Sequence, residues 1–346
     1  MTNVFVAYAS GNNYHSQIIE SACKTASTAA RKVTPWSQQD TSGAPIAQSV
    51  ESWIDAADAF VADVSYVNPN VTYEIGYAIG RGLPIRLIRS THAAFKPVRD
   101  VGLLDTLGYD AYDQASPLAR ILSKKDESTN WAGATKNKDQ PLFLLQPPDS
   151  TEVSGRVQSA IKKIARIRFR NFNPAEISRL NASEAYQHAA SSFGVVAFWL
   201  EGESEAAVKN NQRAAFIYGV ARGCEIPGLL IAHEKAQLPL DLQDQADRFF
   251  RMSDLDKVIS DFRLRIADAQ NDFVAVKPHH ERLLEHLSCG DPIAENEAST
   301  LSDHFLKTDG YNRTLTGEAN LLVGRKGSGK TAVFLQVRDK SRINKE

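Results

Sequence analysis

The sequence predicts two tandem α/β modules built on parallel sheets, followed by the opening of a phosphate-loop segment. Three observations carry this reading. Short apolar runs alternate with helix-length patterns from the N-terminus to about residue 232. The alternation restarts after a polar stretch, and pieces of it repeat in the same order. Near the C-terminus, Gly324-Arg-Lys-Gly-Ser-Gly-Lys330-Thr331 satisfies G-x-x-x-x-G-K-[ST].

Taken in order, Val4 to Tyr8 reads as a strand, Tyr14 to Ala30 and Ile46 to Ala57 as helices, and Ala59 to Val64 as a second apolar run. A polar loop, Ser65 to Asn70, leads into a helix in which Asn68 and Pro69 form a good N-cap and first-turn pair. Pro84 to Ile88 and Gly108 to Tyr112 complete the first module, residues 1–123. Residues 124–140 are polar and read as a linker. The second module, 141–266, has strands at Pro141–Gln146, Ile167–Phe172, Gly194–Leu200 and Ile226–Ala232. Helices fall at Glu152–Ala165, Ala185–Ser191 and Asn211–Gly223. Glu74–Gly82 (EIGYAIGRG) overlies Ala215–Gly223 (AFIYGVARG) at an offset of 141, and each is followed by a strand ending in Leu-Ile. The pattern is that of two Rossmann/flavodoxin-like parallel-sheet modules, the second a degenerate copy. In it Ala215 stands opposite Glu74, and Phe198 or Trp199 near Asp63. Residues 267–346 form a connector and the N-terminal part of a P-loop NTPase domain.

Composition narrows the function classes. A net charge of -1 gives no general attraction to nucleic acid or anionic membrane. Three scattered cysteines, Cys23, Cys224 and Cys289, do not make a disulfide framework, which suits a reducing cytoplasm. The first residues enter a strand without a signal-peptide layout, and no apolar run approaches the ~20 residues of a membrane helix. The expectation is a cytoplasmic protein with no membrane partner. His280, His286 and Cys289 lack a fourth ligand, so no metal site is expected.

The chemistry concentrates between Ala57 and Ile88. Ligands of parallel α/β sheets collect outside the carboxyl ends of the strands. Asp63 at a strand end and Glu74 in the early turns of the next helix are both expected to face that crevice. A fixed carboxylate beside C1′ stabilises or captures an oxocarbenium-like transition state, so Glu74 and Asp63 are the candidate catalytic residues, Asp63 as acceptor of a ribose hydroxyl. Ile75 and Ile79 make a buried stripe, and Gly76 and Gly80 allow close helix–sheet packing. Both Asp63 and Glu74 also have bland readings, as a turn residue and as an acid favoured by the helix dipole. Candidate substrate contacts are Tyr8 and Ser10 at the end of the first strand, Gly11 for close backbone approach, and Asn70. Trp36 could stack on a base, although tryptophan is more often core. In the phosphate loop, Gly324, Gly327 and Gly329 would cradle phosphates, Lys330 would reach the terminal ones and Thr331 would take Mg²⁺. Only 15 residues follow Thr331. Mg-ATP is therefore expected only where the parent protein completes the NTPase, and the loop alone is expected to fold poorly.

Ala57, Asp58, Asp63, Tyr73, Glu74, Ile75, Gly76 and Ala78 together resemble the signature of the nucleoside 2-deoxyribosyltransferase and nucleotide N-hydrolase superfamily and its TIR-like relatives. Val4–Ser10 is similar to the opening strand of TIR domains, many of which cleave NAD. The resemblance covers about 90 residues and implies that Glu74 attacks the anomeric carbon and releases the base, with no cofactor for that step. Such N-hydrolases carry an aspartate about two dozen residues earlier. Here that count lands on Val50 beside Glu51, so either Glu51 takes the role or the substrate differs. The Ser-x-Arg-Gly-Gly loop of nucleotide hydrolases is absent after Ala9, which leaves NAD or another nucleotide open as the partner. A module of this kind ahead of a STAND/AAA-like phosphate loop also resembles bacterial antiviral effectors. The implied function is an N-glycosidase acting on NAD or a related nucleotide, as a homo-oligomer. The alternative is a nucleotide sensor without turnover that regulates the NTPase.

Overall fold

The computed structural model describes residues 1–39, 43, 45–93, 101–125, 131, 133–275, 305–319, 321–325 and 328–343. The chain forms two compact units, 1–275 and 276–346, each taken by itself below.

The first unit contains both modules. Strands β1 (Thr2–Ala7), β2 (Arg31–Pro35), β3 (Ala59–Asp63), β4 (Ile85–Ser90) and β5 (Asp110–Tyr112) form a sheet in the order β2-β1-β3-β4-β5. Every pairing in it is parallel. The second sheet holds β6 (Leu142–Leu145), β7 (Phe169–Phe172), β8 (Gly194–Phe198), β9 (Gly228–His233) and β10 (Asp247–Phe249). Its order, β7-β6-β8-β9-β10, is the same 2-1-3-4-5 arrangement, again all parallel. The expected pair of doubly wound modules is therefore present, with a fifth strand in the second, β10, that its short sequence does not announce.

Helices α1 (Asn13–Ala26), α2 (Ile46–Asp55), α3 (Pro69–Gly80) and α4 (Ala115–Leu122) cover the first sheet. Around the second lie α5 (Glu152–Ala160), α6 (Ala182–Ala190), α7 (Glu205–Gly223), the short α8 (Leu240–Gln243) and α9 (Met252–Ala275). Period-two alternation in the strands sorts the core. Val4, Val6, Ala59 and Val61 pack under α1 and α4, whereas Phe5, Phe60 and Ala62 face the middle of the unit. Phe143, Leu145, Val195 and Ala197 of the second sheet join that middle layer, so one continuous core welds the copies. Among the described residues no helix is long and apolar enough to cross a membrane.

The weld is an apposition of α3 and α7. A Cβ placed on Gly76 would stand 2.3 Å from the Phe216 carbonyl oxygen, and one on Gly219 would stand 2.2 Å from that of Tyr73. Gly80 meets the Val220 carbonyl oxygen at 2.7 Å, and Gly223 that of Tyr77 at 2.2 Å. Later residues meet later residues, so the helices run parallel and a pseudo-two-fold axis relates them. The reciprocal contacts equate Gly76 with Gly219 and Gly80 with Gly223, an offset of 143, and Leu87-Ile88 with Leu230-Ile231 share it. The offset of 141 is thus corrected by two residues, and Ile217, not Ala215, stands where the first copy has Glu74. The glycines serve helix–helix contact between the copies rather than the expected helix–sheet packing, because only a residue without Cβ admits backbone at that distance.

The second unit contributes α10 (Asp309–Leu315) and α11 (Lys330–Ile343). The apolar run Ala319–Val323 ahead of the phosphate loop forms no strand among its described residues, and Leu321 and Val323 are more than four-fifths exposed. A strand needs a neighbour to satisfy its backbone, and none is described in this unit. Gly329 takes a left-handed φ of 78° just before α11. Lys330 turns its Nζ back onto the carbonyl oxygens of Gly324 and Arg325, each at 2.7 Å. Thr331 lies in the first turn of α11, and Gly327, like His280, His286 and Cys289, lies outside the described residues.

Candidate functional site

Two buried polar constellations stand near the carboxyl ends of the first sheet, on opposite faces. Asp63 shares the strand face of Ala59 and Val61, toward α1. Glu74 lies on α3, on the face of the sheet turned toward the second copy. The expectation that both acids face one crevice is corrected by this alternation: the sheet stands between them.

On the α1 side, Asp63 is spent on its neighbours. Its Oδ1 accepts the Ser65 N–H at 2.8 Å and lies 3.1 Å from His15 Nε2, and its Oδ2 accepts the Tyr112 hydroxyl at 2.5 Å. The Tyr112 oxygen is also 3.1 Å from His15 Nε2. The Tyr66 ring meets the imidazole edge-on with centroids 5.1 Å apart. His15 is presented by the first turn of α1, which Asn12 caps by accepting from its N–H. Burial, then the Asp63 charge, drives the Tyr112 phenol far above its ordinary range. With both oxygens engaged, Asp63 orients His15 rather than waiting for a ribose hydroxyl.

On the other side, Glu74 is buried and shares a hydrogen bond with Asp241, which sits on α8 of the second copy. Burial, then Asp241, pushes the Glu74 carboxyl well above the carboxylate range. Burial pushes Asp241 up to about 6. Two hydrogen-bonded acids away from water hold one proton between them. Burial and the neighbouring acid both act against a second negative charge on this pair. Among the described residues no donor serves the buried Glu74 Oε2. One turn earlier on the same helix face, the buried Asn70 Oδ1 has no donor either. A buried acceptor without a donor costs ~1–3 kcal/mol and asks for a ligand or water.

Glu51 completes the interface. It accepts from Arg222 Nε at 3.2 Å and Nη2 at 2.8 Å, from Gln245 Nε2 at 3.0 Å, and from the Tyr73 hydroxyl. Arg222 and Gln245 belong to the second copy, so this network joins the modules and leaves Glu51 no free oxygen for substrate. Its charge adds to the upward push on Asp241.

The remaining expected contacts scatter. Tyr8 is buried, donating to Glu20 at 2.8 Å and standing 3.0 Å from Ser37 Oγ. Trp36 packs on Tyr8 with ring centroids 6.0 Å apart, and its indole N–H is buried without an acceptor. Ser10 and Gly11 are exposed in the β1–α1 loop, and a Cβ on Gly11 would meet nothing within 4 Å, so close approach does not demand that glycine. Three residues of the two constellations went unread in the sequence: Asp241, His15 and Tyr112. The signal for Asp241 was an acid set between leucines in Leu240-Asp-Leu242, a place where burial is costly without a partner.

No protein-family model and no curated protein matches the chain. Among solved structures it is similar to "The first ketoreductase of the tylosin PKS", at 9% identity and a TM-score of 0.23, over 76% of this chain and 88% of that one. A likeness so slight carries no argument about function. The architecture rests on the sheets themselves: this is a Rossmann-like α/β chain.

Proposed function

We propose that the chain is an N-glycosidase acting on NAD or a related nucleotide, and that its acid pair is Glu74 and Asp241. The observation that carries this is the buried pair of neighbouring carboxyls, Glu74 and Asp241, closed across the two copies. Environments that push two acids apart in proton affinity assign them opposite tasks. A neutral nucleobase takes the protonated member's proton as the C1′–N bond breaks, whereas the nicotinamide of NAD departs already neutral and takes none. The ionised member captures the oxocarbenium carbon as an ester. Water then attacks C1′, the carboxylate is released, and the water's proton restores the acid after nucleobase release or passes to solvent after nicotinamide release. Asn70 Oδ1 accepts a sugar hydroxyl.

Hydrogen-bonded carboxyls stand closer than the ~5 Å at which retaining glycosidases hold theirs around a sugar. Turnover therefore requires α8, four residues long, to swing away from α3 and carry Asp241 with it. The resemblance to antiviral effectors extends the proposal: an NTPase completed downstream of the phosphate loop would license that opening.

The test is base release from NAD and from deoxynucleotides by the wild type, Glu74→Gln and Asp241→Asn. Each substitution is expected to lower release by roughly 10²–10⁴-fold. Unchanged release in both variants overturns the assignment. The sensing alternative is favoured by the position of the pair between modules, where occupancy alters their contact. It predicts saturable binding with no base release in any of the three proteins.

A further inference from the structure

Helix α3, which carries Glu74 near its start, and its partner α7 frame a cavity at their far ends. Where α3 and α7 finish, a space of about 840 Å³ opens between the two copies and α9. Volumes of ~300–1,000 Å³ accommodate small-molecule ligands. Its charges are unequal in their partners. Arg81 is neutralised by Asp55 at 2.9 Å and Glu225 at 2.7 Å, and Arg222 by Glu51. Lys136 is different: its Nζ donates to the Ser192 carbonyl at 2.6 Å and stands 5.5 Å from the Phe193 ring centroid. Among the described residues no carboxylate pairs with it, and burial lowers its pKa. A half-buried cation of this kind calls for an anion.

The aromatic wall is equally specific. Phe193 and Tyr218 line the cavity, with Phe273 set edge-on against Phe193 at 5.3 Å. At the rim, Asp268 and Asp272 lie four residues apart on α9, exposed and able to accept from hydroxyls. Two rim carboxylates disfavour a polyanion, while one half-buried ammonium suits a single phosphate.

We propose that this cavity is a second ligand site for a nucleoside monophosphate, its phosphate on Lys136, its base against Phe273, the exposed aromatic of the lining, and its ribose hydroxyls toward Asp268 and Asp272. The site is independent of the acid pair and needs no turnover to be seen. Cys224 lines the same cavity and reports on it, while Cys23 is sealed in the first core.

The experiment uses the full chain with AMP and, separately, inorganic phosphate. Calorimetric titration gives affinity, and peptide mass mapping gives the rate at which N-ethylmaleimide modifies Cys224. AMP is expected to bind saturably and to slow Cys224 modification several-fold. Lys136→Met is expected to weaken binding about tenfold or more, and Lys136→Arg to retain most of it. Thermal melting of both variants confirms that they fold. Absence of AMP binding, binding that leaves Cys224 equally reactive, or equal affinity in Lys136→Met overturns the site. Protection by phosphate alone as strong as by AMP overturns the base subsite.

Discussion

The two copies share a scaffold and differ in what it carries. Both sheets keep the 2-1-3-4-5 order, and both middle helices keep two glycines one turn apart. Strand register equates Asp63 with Phe198 and Tyr112 with Phe249, because Asp63 pairs Ile88 as Phe198 pairs Ile231, and Tyr112 pairs Ser90 as Phe249 pairs His233. The helix caps Asn12 and Thr151 likewise equate His15 with Ser154. The second sheet thus folds with phenylalanines where the first buries an acid and a phenol. The His15–Asp63–Tyr112 cluster is not something this fold needs. The glycine contact is, since both copies kept it.

The comparison breaks most severely at the glycines. Gly223→Ala would set a methyl group 2.2 Å from the Tyr77 carbonyl oxygen, against backbone that cannot yield as a side chain does. Destabilisation is expected at or above the upper end of the ~1–3 kcal/mol range for overpacking. Denaturant melts of Gly223→Ala and Gly76→Ala measure it. A change below about 0.5 kcal/mol in both would show that the helices are not so closely apposed. The next effect tests whether the polar cluster is dispensable. Asp63→Ala strands the His15 imidazole and the Tyr112 hydroxyl in the core and is expected to cost roughly 2–3 kcal/mol. Asp63→Phe with Tyr112→Phe, which copies the second sheet, is expected to recover at least half of that loss. Failure to recover would mean that the two sheets do not tolerate the same residues.

Much of this architecture was legible because it rests on local rules. Apolar runs placed both sheets, and the Asn68-Pro69 cap placed α3 to the residue. The acid at 74 was legible as unusual, but its partner was not. Asp241 lies 167 residues away, and only the pseudo-two-fold packing brings it to Glu74. Glu51 was misassigned for the same reason: a sequence count sets its distance from Glu74 along the chain, whereas Arg222 and Gln245 arrive from the other copy. Separation of Asp63 from Glu74 followed from strand alternation and could have been read. Asp63 falls in step with Ala59 and Val61, and α3 packs on the other face.

Acidity provides a smaller, signed test of the interface. Burial pushes Asp241 up to about 6, above the ~3.9 of an unfolded aspartate, and Glu74 is likewise raised. A raised carboxyl favours the folded state where it is protonated. Its contribution is fully present below the unfolded value and is lost as pH rises through the folded one. Between pH 4 and 7 the wild type is therefore expected to lose stability relative to Asp241→Asn, on the order of 1–2 kcal/mol by pH 7. Paired melts across that range measure the difference between the two proteins, which cancels the titration of groups remote from the pair and leaves that of Asp241 and its neighbour Glu74. A difference independent of pH would mean that the pair does not share a proton.

The smallest effect concerns the ends of the two middle helices. Gly82 closes α3 with φ at 73°, and Glu225, its equivalent at the offset of 143, closes α7 with φ at 57°. Left-handed backbone suits glycine and costs other residues roughly 1 kcal/mol. Glu225 is held there by an exposed ion pair with Arg81, of a kind worth ~0–1 kcal/mol, and Arg81 keeps Asp55 when that pair is removed. Glu225→Gly is therefore expected to leave stability unchanged or to raise it by up to about 1 kcal/mol, visible as a slightly higher melting temperature. Gly82→Glu, which has no such arginine to meet, is expected to lower stability by about the same amount. A loss on Glu225→Gly greater than about 1 kcal/mol would make the cross-copy ion pair, and not backbone geometry, the reason a glutamate occupies a glycine's place.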